Sequence, residues 1–146
     1  MKTRTSWREK LERAQEAKVV AIPPKMRKQL GSGTLLIPRP LDVDAMIRKV
    51  PRGKVLTLTG LRGKLAKEAG ADVTCAMVTG MFVRIVAEAA EEDARAGKSR
   101  VTPWWRVVRD DGSLFEKLPG GPAGQATHLE AEGREVQKSG KLRVIF

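Results

Sequence analysis

The side chains able to carry chemistry are few in this sequence. It has one cysteine, Cys75, one histidine, His128, and no tyrosine. Its most unusual segment places two tryptophans, Trp104 and Trp105, directly before Arg106. An indole offers one N–H donor and a broad apolar face but no nucleophile. The segment therefore favours either stacking against a base or filling of the interior, and the residues alone leave both open.

Cysteine and histidine counts also limit the metal and redox chemistry. One cysteine excludes an internal disulfide, and one cysteine with one histidine cannot form a Cys/His zinc site. No run approaches the about 20 apolar residues of a membrane-spanning helix, and the first residues lack an apolar signal core. We therefore expect no metal, no cofactor and no membrane partner, and a cytoplasmic, nucleoid-associated location.

The charge balance is strongly basic. Lys and Arg total 28 against 17 Asp and Glu, which gives a net charge of +11 in 146 residues. Such an excess indicates an anionic partner, and nucleic acid is the first candidate. The alternative is a soluble protein whose basic face is only solvated.

The first 41 residues read as a basic extension that packs on the body. Ser6 is followed three residues later by Glu9, a capping box that predicts a helix over 6–17. In this helix Trp7, Leu11 and Ala14 share one face. Residues 19–24 are extended, 25–30 form a basic turn or short helix, and 34–37 form a strand. Its basic residues either touch phosphates or are solvated.

A compact domain is predicted over 42–146. Asp42 is expected to cap a helix that runs to about Lys49, and 54–58 is prone to form a strand. Thr59 is expected to cap a helix over 60–69 that ends at Gly70. These are followed by a long helix.

Asp72 or Thr74 is expected to cap this long helix, which runs to about Arg95. Two helices joined by a short turn, the second one long, are typical of a helix-turn-helix. A further helix runs from Pro122 to Gly133, and 142–146 is a terminal strand. The fold class is α+β, mostly α: a winged helix-turn-helix with an N-terminal helical and extended arm.

Several short motifs resemble the DNA-binding domain of the alkylguanine-DNA alkyltransferases. That family carries Pro-Cys-His-Arg-Val-Val, then a short spacer that ends in Asp-Gly-Ser-Leu, and this chain has Pro-Trp-Trp-Arg-Val-Val and then Asp-Gly-Ser-Leu. The resemblance covers about 42–134. The matching segments are 50–55, 65–70, 78–80, 106–108, 111–114, 120–121 and 129–133. It implies a DNA-binding domain of winged-helix type.

The departures from the family pattern concern its chemistry. By this resemblance Trp104 stands at the reactive cysteine, Trp105 at the histidine, and only Glu132 matches the relay carboxylate. The tyrosine that helps turn out the target nucleotide falls at Leu58, and the arginine that fills the vacated stack falls near Met77. Alkyl transfer needs an activated thiolate, so the resemblance implies a protein that is not an enzyme at this site.

One branch of the family, the alkyltransferase-like proteins, also has tryptophan at the cysteine position. Its members bind alkylated guanine in DNA without repairing it and hand the lesion to nucleotide excision repair. They usually keep the histidine, tyrosine and arginine that this chain lacks. The resemblance therefore implies double-stranded DNA as partner, with alkylated DNA and a repair protein as further partners, and we expect a monomer.

The former active-site positions and the DNA contacts form two sets of predicted residues. We favour Trp104 filling the pocket with Trp105 packed nearby, Arg106 hydrogen-bonded locally, and Glu132 beside them. His128 is expected at the surface or at the edge of the core, and the acidic end of the long helix should face away from DNA. The predicted DNA contacts are Arg52, Lys54, Lys64, Thr74, Met77, Arg84, Arg100 and Arg109.

Three functions remain to be compared. The first is a non-enzymatic protein that binds duplex DNA, alkylated guanine included, without alkyl transfer. The second is a protein–protein scaffold, or a general nucleoid or regulatory DNA-binding protein that recognises no lesion. The third is an enzyme that uses Cys75 as a substitute acceptor, since a thiolate at a helix N-terminus can be reactive.

Overall fold

In the computed structural model the protein is described over residues 6–13 and 15–146. The first helix, α1, spans Trp7–Glu12, and the Ser6 hydroxyl accepts the Glu9 N–H at 3.1 Å, as the capping box predicts. The helix is shorter than predicted because Arg13 leaves helical geometry with ψ of 130°. Of its predicted inner face, Leu11 is buried, Trp7 is half-buried, and Ala14 lies outside the described residues.

The rest of the extension contributes two strands to a mixed sheet. Strand β1 spans Lys18–Ala21 and pairs antiparallel with β2 at Thr34–Ile37. Between them lie a 3₁₀ turn at Pro24–Met26 and the short helix α2 at Arg27–Leu30. Strand β2 also pairs in parallel with a later strand, so the extension is built into the body.

The next helix, α3, spans Pro40–Arg48 and begins before the predicted cap. Asp42 is therefore not the N-cap residue, as predicted, but a residue of the first turn. Its carboxylate accepts the backbone N–H of Arg39 at 2.9 Å, and Arg39 precedes the helix. Proline favours the first turn because it lacks the N–H that would otherwise be unpaired. The predicted domain boundary at 41/42 falls inside this helix.

Strand β3 at Leu56–Thr57 leads directly into helix α4 at Leu58–Ala69. The cap of α4 is Thr57, whose hydroxyl accepts the N–H of Gly60 at 3.0 Å. The prediction that Thr59 caps this helix is therefore wrong by two residues. Gly70 ends the helix in a left-handed conformation with φ of +71°, as predicted.

After a short turn that contains β4 at Val73–Thr74, the long helix α5 spans Ala76–Arg95. Its N-cap is Cys75, and neither Asp72 nor Thr74 caps it, contrary to prediction. Both side chains are engaged elsewhere, as described below. Helices α4 and α5 with their turn form the predicted helix-turn-helix, and the α+β winged fold is confirmed.

Apolar faces of α3, α4 and α5 enclose the main core. Its fully buried side chains include Leu11, Ile47, Leu61, Val83, Val86 and Trp104. Strand β5 at Val107–Val108 pairs in parallel with β3 and leads to a second, smaller core. That core lies under α6 at Gly121–Ala131 and the antiparallel pair β6 (Val136–Gln137) and β7 (Arg143–Val144). The predicted terminal strand over 142–146 is thus only two residues long.

Candidate functional site

A single 3₁₀ turn, Trp104–Arg106, holds the three side chains at the centre of the candidate site. Trp104 has no solvent-exposed surface and belongs to the main core. The preceding Thr102 is also buried, and its hydroxyl donates to the Asp44 carboxylate of α3 at 2.5 Å. An indole of this size contributes a large part of the apolar area in a small core. The structure therefore places Trp104 in the interior and not at a surface that a base could reach.

Trp105 packs on the second core together with a residue that was expected at the surface or at the edge of the core. Its ring stacks on the imidazole of His128 with centroids 4.1 Å apart and planes 10° from parallel. Trp104 meets the same imidazole edge to face at 5.7 Å. His128 is half-buried in this cluster, which fits the predicted edge position and not a fully exposed one. Nothing in the helical spacing of His128 distinguishes it from a surface residue, because the partner rings come from a distant loop.

Arg106 is hydrogen-bonded locally, as predicted, and its partner is Glu132. The guanidinium donates to the two carboxylate oxygens at 2.9 and 2.6 Å, and its remaining amine donates to the Val50 carbonyl at 2.6 Å. The Glu132 side chain is only 3% exposed. Two parallel N–H···O bonds make this a geometrically specific ion pair.

Two opposing influences act on the pKa of Glu132. Burial is the largest and favours the neutral acid, but the hydrogen bonds and charge of Arg106 outweigh it and lower the pKa. Glu132 is therefore a carboxylate engaged by arginine. The residue that matches the family's relay carboxylate thus acts as a structural partner of Arg106.

A buried glutamine fixes the tryptophan turn against α6. Gln125 donates to the carbonyls of Trp105 and Val107 at 3.0 and 2.7 Å, and its own carbonyl accepts the Phe115 N–H at 2.9 Å. A buried amide without partners would carry a desolvation cost, and here both the amine and the carbonyl of Gln125 have partners. The turn is consequently held by backbone bonds as well as by ring packing.

The first half of α5 presents a different surface. Met77 and Met81 are 73% and 58% exposed, and Gly80 and Arg84 are exposed on the same face. A side chain added at Gly80 would meet no neighbouring atom, so the backbone is open to close approach here. The spacing of three, four and seven residues places these positions on one stripe of the helix. We call this stripe the outer face of α5.

The acidic end of α5 faces α1. The Glu92 carboxylate accepts the backbone N–H groups of Trp7 and Arg8 at 3.1 and 2.8 Å, at the open N-terminus of α1. Asp93 lies within 3.5 Å of the Arg8 guanidinium and within 3.4 Å of the Lys98 amine. A carboxylate is favoured at a helix N-terminus because unpaired N–H groups point there. Glu92 and Asp93 therefore bind groups of the extension and of Lys98.

The burial of Thr74 contradicts the prediction that it contacts DNA. It is 5% exposed, and its hydroxyl donates to the Arg62 carbonyl at 2.8 Å. Thr74 is covered because β4 pairs with β2. Strands so far apart in the sequence leave no local sequence pattern that would predict this pairing. The other seven predicted contacts are exposed: Arg52, Lys54, Lys64, Met77, Arg84, Arg100 and Arg109.

Some of these seven side chains contact other groups of the protein, and the seven do not form a single patch. The Arg84 guanidinium lies 5.5 Å from the Trp7 ring, and that of Arg109 lies 4.8 Å from Phe115. Arg52 donates to the Ala131 carbonyl at 3.1 Å. Arg100 follows the end of α5, a helix that is about 30 Å long. The structure therefore separates Arg100 from the first half of α5.

An open groove of about 240 Å³ lies where α4 and α5 begin, lined in part by Leu58, Arg62 and Arg109. Asp110 accepts the Thr59 N–H at 3.0 Å and its hydroxyl at 2.5 Å, and these bonds lower the pKa of Asp110. The loop after β5 is thereby joined to the start of α4. Arg62, which sequence reasoning did not select, lines this groove together with the predicted contact Arg109.

Two negative findings apply to the described part of the chain. In residues 6–13 and 15–146 no group of His, Cys, Asp and Glu side chains is arranged to hold a metal ion. Over the same ranges, no helix has the length and apolar character that crossing a membrane requires.

Comparisons with known proteins show which family and which solved structures this chain is similar to. A family model, 6-O-methylguanine DNA methyltransferase, DNA binding domain, matches residues 40–134. A crystal structure of S. pombe Atl1 in complex with damaged DNA containing O6-carboxymethylguanine is 21% identical, with a TM-score of 0.49, over 73% of this chain and 87% of that one. A second structure, S. pombe ATL in complex with DNA, is 21% identical, with a TM-score of 0.49, over 71% and 85%. Among curated proteins, no sequence matches significantly.

Proposed function

Because the chain belongs to the family of the 6-O-methylguanine DNA methyltransferase DNA-binding domain, we propose that it binds duplex DNA and transfers no alkyl group. The observation that carries this proposal is the complete burial of Trp104, where the resemblance places the reactive cysteine. An alkyl acceptor must be nucleophilic and reachable by the base. Trp104 meets neither requirement, and the carboxylate of Glu132, at the relay position, is hydrogen-bonded to Arg106.

The outer face of α5 supports DNA as the ligand. In a helix-turn-helix the second helix lies in the major groove, where its first residues contact base edges. Residues 76–87 contain no acidic side chain, so this half of α5 does not repel phosphates. Met77 and Met81 are suited to apolar contacts such as those with thymine methyl groups, and Gly80 permits close approach. Exposed cations nearby fix the backbone without reading sequence.

The filled interior also bears on lesion recognition. A protein that inspects a base by extruding it needs a cavity to receive it. Here Trp104 occupies the core, and Trp105 is stacked on His128 beside it. We therefore propose that binding depends on groove and phosphate contacts, with little preference for an alkylated guanine.

The test is a binding measurement on paired duplexes, identical except for one O6-methylguanine, by fluorescence anisotropy over a salt series. We expect affinity to fall linearly with log salt for both duplexes, and the two dissociation constants to agree within about threefold. Absence of salt-dependent binding would contradict DNA binding and favour a protein scaffold. A preference for the lesion of about tenfold or more would contradict the filled pocket.

Alkyl transfer is tested separately by intact mass after incubation with the lesion duplex. Cys75 is half-exposed at the start of α5, which makes it the side chain to exclude as an acceptor. We expect an unchanged mass. A gain of one methyl group that disappears in Cys75→Ala would overturn the non-enzymatic assignment.

A further inference from the structure

The hairpin formed by β1 and β2 has a strongly basic loop. Residues 22–33 join the two strands and carry Lys25, Arg27 and Lys28, all exposed, without any Asp or Glu. The family match begins at residue 40, so this hairpin lies outside it. We call residues 22–33 the hairpin loop.

The hairpin is fastened to the turn between α4 and α5. Strand β2 pairs with β4 through Leu35 and Leu36, and the Leu36 carbonyl accepts the N–H of Cys75 at 2.9 Å. Cys75 is the residue that begins α5. Movement of the hairpin is therefore coupled by hydrogen bonds to the start of the helix proposed to enter the groove.

A second set of bonds joins the end of the hairpin loop to the same turn. The Asp72 carboxylate accepts the N–H and the hydroxyl of Thr34 at 2.8 and 3.1 Å, and the Thr34 hydroxyl accepts the Asp72 N–H at 3.1 Å. A methyl group at Gly33 would lie 2.5 Å from the Asp72 carboxylate, so a side chain there would displace this carboxylate from Thr34. The hairpin thus has a defined position relative to α5.

From this position the hairpin loop borders the exposed side of α4. Leu30 of the loop lines an open groove of about 490 Å³ with Arg62, Gly63 and Lys67 of α4. Asp72 also lines the groove, and its carboxylate is already bonded to Thr34. The groove therefore separates the basic loop from a helix that contributes two further cations, Arg62 and Lys67, to the groove lining.

The cations on both sides of this groove lack carboxylate partners. Arg27 donates to the Ile22 carbonyl at 3.3 Å, which is a bond within the loop. Among the ion pairs found in the described residues, none includes Lys25, Arg27, Lys28, Arg62 or Lys67. Around the groove these five cations outnumber the Asp72 carboxylate. An excess of positive charge favours an anionic ligand, and a duplex presents phosphates at regular spacing.

We propose that the hairpin loop is a second DNA-backbone contact, which binds phosphates that flank the segment approached by α5. This inference rests on the proposed function, since it assumes that α5 faces DNA. The contact is independent of sequence, lengthens the bound DNA segment, and fixes the register of α5 through β2 and Asp72.

The decisive variant is Lys25→Gln/Lys28→Gln, with Arg27 kept because its bond to Ile22 holds the loop. The matched control is Arg95→Gln/Lys98→Gln, which removes the same charge at the far end of α5. Helix α5 is about 30 Å long, so the control lies well away from the hairpin loop. Thermal melting of both variants checks that the exposed substitutions leave the fold intact.

Salt dependence of binding to a duplex of about three helical turns is the first readout. Each lost phosphate contact lowers the slope of log affinity against log salt by about 0.9, so we expect the hairpin variant to lose about 2 and the control to lose none. Lys25→Arg/Lys28→Arg should restore the slope. On a duplex of about one turn, or about 10 base pairs, the difference between variant and wild type should shrink because the flanking phosphates are absent.

Two failures are distinguishable. If the wild-type protein binds with a salt slope and the hairpin variant has the same slope as the control, the second contact is overturned and the proposed function stands. If the wild-type protein shows no salt-dependent binding, the proposed function falls and this inference falls with it.

Discussion

The turn around Trp104 and the outer face of α5 are opposite in physical character. Around Trp104, the rings of Trp105 and His128 are stacked and the Glu132 carboxylate is paired with Arg106. The backbone of the tryptophan turn is held by Gln125. On the outer face of α5, Met77 and Met81 are exposed on a helix that carries no acid in its first half. One region is closed and contributes to stability, whereas the other is open and available for contact.

The difference indicates how a domain of this family can keep its fold while packing residues stand at the positions that the resemblance assigns to alkyl transfer. Positions that the resemblance assigns to alkyl transfer are now filled by residues that pack. On the outer face of α5, by contrast, the Met77 and Met81 side chains are exposed and do not belong to the core. Substitutions in the first region should therefore change stability, and those in the second should change DNA affinity.

The largest effect is expected for Trp104→Ala. Removing a fully buried ring leaves a cavity in the main core, which should lower the free energy of unfolding by about 3–5 kcal/mol in urea denaturation. Met77→Ala, which truncates an exposed side chain, is the control and should change it by less than about 0.5 kcal/mol. A loss below about 1 kcal/mol for Trp104→Ala would mean that the ring does not fill the core.

The next effect concerns the buried ion pair. Glu132→Gln removes the charge that Arg106 is bonded to and should cost about 2 kcal/mol, because charged hydrogen bonds exceed neutral ones. Glu130→Gln, next to the exposed Lys138, should cost at most about 1 kcal/mol. Equal losses in the two variants would contradict a structural role for the pair.

The same pair gives a pH dependence with a definite sign. Folding lowers the pKa of Glu132 below its ordinary value of 4.5, so its ionised form stabilises the fold above that pH. The contribution is lost as pH falls through the lowered pKa. Acid denaturation of Glu132→Gln should therefore be less steep than that of wild type below pH 4.5. An identical pH profile would show that folding does not lower the pKa of Glu132.

A smaller change in free energy is expected on the outer face of α5. Met77→Glu places a negative charge toward the phosphates and should weaken DNA binding about tenfold, or about 1.4 kcal/mol, in anisotropy titrations. Leu41→Glu, the same change at an exposed position on α3, should weaken it much less. If both variants bind equally well, α5 does not face DNA.

The smallest effect is expected for Cys75→Ala. Cys75 begins α5 through backbone bonds that alanine also makes, and no side-chain hydrogen bond caps the helix there. DNA affinity should stay within about twofold of wild type, a change below about 0.5 kcal/mol. A larger loss would mean that the thiol contacts DNA.

Element types were largely predictable from the sequence, whereas helix starts were not. Ser6 with Glu9 located the first cap because the capping box is a local pattern. Asp42, Thr59, Asp72 and Thr74 are equally good capping residues by type, yet none begins its helix. Asp72 and Thr74 are used instead by Thr34 and the Arg62 carbonyl, which are tertiary contacts.

The candidate site divides in the same way. Burial of Trp104 and local bonding of Arg106 followed from size and charge, which are properties of the residues themselves. The stack of Trp105 on His128 and the position of Arg62 at its groove depend on how α4, α6 and the tryptophan turn are brought together. Single-sequence patterns contain no information on those distances.

The uneven charge along α5 has a kinetic consequence. Four acidic residues lie in its second half, Glu88, Glu91, Glu92 and Asp93, and none lies in its first half. A polyanion attracts a protein of net charge +11 at long range, and the acidic residues weaken that attraction at the second half of α5. The protein should therefore rotate before contact, so that the start of α5 meets the DNA first. Salt screens this orienting force, so the association rate should fall steeply as salt increases.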